Sequence, residues 1–116
     1  NKRALEYLAM TYLLEHKLAK FINLYPELNK LYNNKMPLTY ETALFLYAMK
    51  TRNSDLKYNF SNELKRVIAT FSKILKENNG NKIAAQNTLK KQFENTYMYY
   101  LTYLSPLATK TGNTDE

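Results

Sequence analysis

One histidine, four serines, ten carboxylates and no cysteine are the parts from which this chain would have to build chemistry. His16 follows Glu15 directly, and adjacent helical residues do not face one another; four residues on stands Lys20, not a carboxylate. No second histidine and no thiolate exist to complete a metal site, so the metal and cofactor expectation is none. A serine nucleophile would have to pair His16 with Ser54, Ser61, Ser72 or Ser105, and none of these sits in a nucleophile-elbow sequence. Gly80 and Gly112 are the only glycines, too few for a phosphate-cradling loop.

Two carboxylates stand apart. Glu6 and Glu41 each lie in an otherwise apolar stretch. The ordinary reading is that each marks the solvent edge of its helix. The catalytic alternative is a small or accessory enzyme domain with a carboxylate pocket around Glu6 and Glu41, where burial raises a pKa. Tyrosine offers a different chemistry. Within Thr96-Tyr97-Met98-Tyr99-Tyr100-Leu101-Thr102-Tyr103, Tyr97 and Tyr100 fall on a core stripe. Tyr99 and Tyr103 are four apart and are expected on another side, which makes them the candidate partner-binding residues.

Elements must position these groups. Scarce breakers, two Gly and three Pro, favour long helices over many strands. Apolar spacing predicts helix one over Arg3 to Glu15, apolar nearly all round and therefore in need of neighbours. Helix two is expected over Lys17 to Tyr25, with Pro26 breaking or kinking it and Glu27 to Tyr32 forming a second short helix. Helix three follows Pro37 and ends near Lys50, with Thr39 as its cap. Phe60, Leu64, Val67, Phe71, Ile74 and Leu75 make one stripe for helix four, stopped at Asn78-Asn79-Gly80. Helix five is expected from Lys82 to Leu104, inward at Ile83, Leu89, Phe93, Tyr97, Tyr100 and Leu104.

A repeat organises these elements. Ala4-Leu5-Glu6-Tyr7-Leu8-Ala9-Met10 returns 39 residues later as Ala43-Leu44-Phe45-Leu46-Tyr47-Ala48-Met49. The spacing of Leu18, Phe21, Ile22, Tyr25 and Leu28 returns in Leu64, Val67, Ile68, Phe71 and Ile74. Such periods mark stacked helical hairpins. The expected fold is all-α, with about five helices as two antiparallel hairpins and a closing C-terminal helix. It should be a single helical-repeat domain over residues 1–108, followed by a disordered tail over 109–116.

Leu8-Ala9-x-x-Tyr12, with Ala19 in the following helix, loosely resembles a tetratricopeptide repeat. Pro37-Leu38-x-Tyr40-Glu41-x-Ala43-Leu44-x-Leu46-Tyr47 and Thr96-Tyr97-Met98-Tyr99-Tyr100-Leu101 resemble the C-terminal region of an uncharacterised family of Bacteroidetes proteins. That resemblance implies membrane helices joined to a soluble helical-repeat region, and it implies no activity. The expected location is a soluble domain attached to the bacterial inner membrane. A start at Asn1 rather than Met is expected of a piece of a larger protein, and the longest apolar run, Ala43 to Met49, is far short of the ~20 residues that span a bilayer.

Net charge is +7, carried by fourteen Lys and three Arg beside fourteen Asn and eleven Tyr. Lys, Asn and Tyr share A/T-rich codons, so the balance reads as compositional, with no specific nucleic acid expected. The alternative is a weak, non-specific nucleic-acid or anionic-lipid binder using Lys65, Arg66, Lys73, Lys76, Lys82, Lys90 and Lys91. The main expectation is a non-enzymatic interaction module that binds a protein partner or the remaining part of its own protein.

Overall fold

The computed structural model describes residues 1–52, 58–106 and 108. Among them the protein is all-α, without strands, in six helices rather than five. These are α1 (Lys2–Leu14), α2 (Leu18–Leu31), α3 (Leu38–Thr51), α4 (Asn62–Glu77), α5 (Lys82–Phe93) and α6 (Tyr97–Tyr99), the last running into a π-helical turn, Tyr100–Leu104. Where the sequence suggests one domain over 1–108, packing groups the chain into two compact units, Asn1–Phe60 and Ser61–Glu116. The expected tail lies outside the described residues.

In the first unit α1 packs on α2 and α2 on α3. Asn1 opens α1 by accepting from the Arg3 amide at 2.9 Å. Ala9 and Leu13 are buried from α1, Phe21 and Leu28 from α2, and Tyr40, Ala43 and Leu44 from α3. Phe21 and Tyr40 join α2 to α3 with ring centroids 5.8 Å apart. Pro26 does not break α2, which continues through it to Leu31. Proline deletes one backbone donor, but Phe21 and Leu28 are both fully buried on either side, and tertiary packing outweighs a penalty of about 3 kcal/mol. Thr39 does not cap α3; the amides of Tyr40 and Glu41 bond to the Pro37 carbonyl, each at 3.1 Å.

The second unit opens with Ser61, whose hydroxyl accepts from the Leu64 amide at 3.1 Å. Leu64, Val67, Phe71 and Ile74 are the buried stripe of α4, as their spacing predicts. Asn79 and Gly80 turn the chain with positive φ, and the Gly80 amide bonds back to the Leu75 carbonyl at 2.7 Å. Ala85, Leu89 and Phe93 face inward from α5, and Phe71 meets Phe93 at 5.7 Å.

Helix five is not continuous to Leu104. The Thr96 hydroxyl donates to the Phe93 carbonyl at 2.7 Å and accepts from the Tyr99 amide at 3.1 Å, so it ends one helix and starts the next. The restart re-aims what lies beyond it, and Leu104, expected inside, is 60% exposed. Ile83, also expected inside, is 83% exposed, because the inward face of α5 is set by Ala85, Leu89 and Phe93.

The 39-residue repeat is not carried by burial. Ala4 is exposed where Ala43 is buried, and Leu8 is exposed where Tyr47 is half-buried. The second echo does hold: Phe21 and Leu28 are buried, as are Val67 and Ile74, with Ile22 and Ile68 half-buried.

Candidate functional site

The polar groups that the fold draws together are carboxylates and tyrosines, all in the first unit. Glu41 is not at a solvent edge. It lies in the first turn of α3 and is 2% exposed. The Tyr58 hydroxyl donates to its Oε2 at 2.9 Å. Tyr58 also packs edge-on against Tyr25 at 6.2 Å and Phe60 at 5.3 Å, and Phe60 meets Phe45 at 5.9 Å. Glu6 is half-buried on α1 and accepts a hydrogen bond from Tyr32, the residue that closes α2. Tyr32 lies 6.0 Å from Tyr40 and carries the Lys2 ammonium over its ring at 5.6 Å.

Each carboxylate thus has its own phenol, contributed by a different element. A buried carboxylate is tolerated when hydrogen bonds replace its lost hydration. The Tyr58 hydroxyl is pushed up to about 12, first by burial and then by its bond to Glu41. Burial and the charge of Glu6 also push Tyr40 upward, in that order. At neutral pH the Tyr58 hydroxyl therefore keeps its proton and donates it to Glu41. The arrangement can lock α1, α2 and α3 together, and that is the chemistry it supports most directly.

Neither carboxylate lines the polar cavity of about 280 Å³ formed by Asn29, Asn34, Tyr58 and Asn59. His16 follows Glu15, the residue that closes α1, and stands in the left-handed region at φ 61°. Among the described residues, no group of three His, Cys, Asp or Glu stands together as a metal site. Also among them, no helix is long and apolar enough to cross a membrane.

Tyr99 and Tyr103 do not project outward as expected. Tyr99 is 2% exposed, and its ring lies 4.9 Å from that of half-buried Tyr103. The Tyr103 hydroxyl donates to the Lys82 carbonyl at 2.6 Å, and Gln86 donates to the Tyr99 hydroxyl at 3.4 Å. The Thr96 restart turns both rings onto α5, which is why spacing along one long helix misplaced them. The basic residues of the charge alternative all belong to the second unit, and only Lys82 among them is partly buried.

The need of helix one for neighbours has a definite place in the structure. Along α1, Tyr7, Met10 and Leu14 follow one helical stripe and are 77%, 38% and 51% exposed. The sequence does not say which residues α2 leaves uncovered, because helix one is apolar nearly all round.

The tyrosine ladder predicts alkaline lability. Tyr58 and Tyr97 both stand near 12, each raised chiefly by burial, against an ordinary value of 10.0. A phenol raised on folding stabilises fully below its unfolded pKa, and that contribution is lost as pH climbs through the folded one. Melting temperature should therefore fall between about pH 10 and pH 12, with tyrosinate absorbance appearing together with unfolding. Full ionisation of all eleven tyrosines near 10.0 with the helices intact would contradict this packing.

Fold and site together define a small all-α protein whose carboxylates serve as ties between helices. Residues 1–104 match the Family of unknown function (DUF6057), and the chain belongs to that family. No curated protein and no solved structure matches it.

Proposed function

We propose that the chain is a non-catalytic interaction module, the helical part of a larger, membrane-attached bacterial protein. The observation that supports this most is the outer stripe of α1. Tyr7, Met10 and Leu14 place apolar surface in water along about two turns of one helix. Aromatic and methionine side chains are the types that partner-facing surfaces favour. Its occupant is a helix of a protein partner or of the remaining part of the same protein, laid against this stripe. The location and the Bacteroidetes origin rest on the likeness of the Pro37–Tyr47 and Thr96–Leu101 stretches. The tetratricopeptide-like reading rests on the α1–α2 hairpin and the Leu8-Ala9-x-x-Tyr12 spacing.

Tyr99 and Tyr103 pass out of this reading as contact residues, since their rings are spent on α5. The carboxylate-pocket alternative draws on burial of Glu41, but its bonded phenol favours a structural role.

Replacing Tyr7, Met10 and Leu14 together by Ser tests the proposal. Exposed positions away from buried features change stability by about 0.5 kcal/mol or less each, so the fold should persist. Association should be lost. An unchanged association would overturn the reading. Substrate turnover abolished by Glu41→Gln would overturn it from the other direction.

A further inference from the structure

Along the outer side of α1, Arg3, Tyr7, Met10 and Leu14 follow one another at intervals of four, three and four residues. That is the spacing of a coiled-coil seam. All four are exposed, Tyr7 at 77% and Leu14 at 51%, while Ala9 and Leu13 are buried. We infer that this stripe pairs with the α1 of a second copy of the chain, the two helices running antiparallel about a two-fold axis. The pairing rests on the reading of α1 as an interaction surface and names its occupant.

Two features make α1 its own complement. The first is spacing. Four, three, four reads the same from either end, so an antiparallel copy matches every position of the stripe. Arg3 then meets Leu14 of the second copy, and Tyr7 meets its Met10. Each contact occurs twice, as a two-fold interface requires. A methionine sulfur against an aromatic ring is a favourable contact. An arginine stem can cover a leucine while its guanidinium stays in water. The second feature is charge. Lys2 and Arg3 stand at one end of the stripe, and Glu15 stands just beyond the other. Antiparallel pairing sets Lys2 and Arg3 of each copy beside Glu15 of the other. Parallel pairing would set like charges together at both ends, which is repulsive, and would align the two helix dipoles.

Neighbouring groups narrow the charge contact. Lys2 already lies over the Tyr32 ring at 5.6 Å, which leaves Arg3 as the cation that meets Glu15 of the second copy. Glu15 also pairs with Lys17 at 3.0 Å, but both side chains are half-exposed, where such a pair is weak and exchangeable. Glu6 is half-buried and accepts from Tyr32, so it takes no part. With 13 residues, α1 is about 20 Å long. One helix pair of that length lies at the low end of interface sizes. The association is therefore reversible and concentration-dependent, not permanent.

Sedimentation equilibrium of the whole chain, between about 10 μM and about 1 mM, should show its mass rising from one chain towards two. The Tyr7→Ser, Met10→Ser, Leu14→Ser variant should stay at one chain mass throughout. Arg3 and Glu15 are exposed, so reversing either charge should leave the melting temperature unchanged. Arg3→Glu and Glu15→Arg should each weaken self-association by about fivefold or more, since each turns two symmetric attractions into repulsions. An equimolar mixture of those two variants should associate as tightly as the parent, because each supplies the charge that the other lacks. A parent chain that keeps one chain mass across the range, while a benzoylphenylalanine at Tyr7 captures a different protein, overturns the second copy and leaves the α1 surface standing. One chain mass with no adduct at Tyr7 overturns both. Self-association that survives the serine variant, that ignores the charge reversals, or that the mixture does not restore overturns the antiparallel pairing.

Discussion

Phe21→Ala is expected to destabilise the first unit by about 3–5 kcal/mol, the range for deleting a fully buried ring. Phe21 is 0% exposed, and it contacts Tyr40 across the α2–α3 junction. Its loss removes apolar burial and leaves a void that the neighbouring aromatic rings cannot refill without leaving their own contacts. Tyr40 in turn touches Tyr32, which holds Glu6. A unit of this size has a narrow stability margin, so one such void removes much of it. Each kcal/mol lowers the melting temperature by about 4–8 °C at this scale. The drop should therefore exceed about 12 °C, measured by circular dichroism. Exposed Lys30→Ala should change almost nothing.

Tyr99→Ala is the second large effect, about 3 kcal/mol on the second unit. Its ring is buried against Tyr103, and its hydroxyl accepts from Gln86. Truncation also frees Tyr103, whose hydroxyl ties the π-helical turn to the start of α5 through the Lys82 carbonyl. Tyr103→Phe should cost only about 1 kcal/mol, the net worth of one hydrogen bond. A contact residue would behave in the opposite way, losing binding with the fold intact. A Tyr99→Ala chain that melts like its parent would return Tyr99 to the surface and restore the interface role expected from spacing.

The α4 stripe was legible because a single helix face was sorted cleanly into apolar and charged residues. The same held for Phe21 and Leu28. The Ala-Leu repeat misled because residue type does not say which face is covered, and Ala4 and Ala43 meet different surroundings. Pro26 misled because propensity is local, while burial on both sides of it is tertiary. Thr96 was the decisive residue for the C-terminal segment. Its hydroxyl closes one helix and opens another, and the short polar run Glu94-Asn95-Thr96 inside a longer helical pattern was the only warning of that. Burial of Glu41 was invisible because its phenol stands 17 residues away, beyond any helical spacing.

The most direct test of the proposed role is site-specific photocrosslinking in the protein as it occurs in the cell. A benzoylphenylalanine placed at Tyr7, the most exposed ring of the α1 stripe, should yield a discrete protein adduct. The same label at Lys73, exposed on the polar side of α4, should yield none. Adducts at neither position, or equal adducts at both, would contradict an interaction surface on α1.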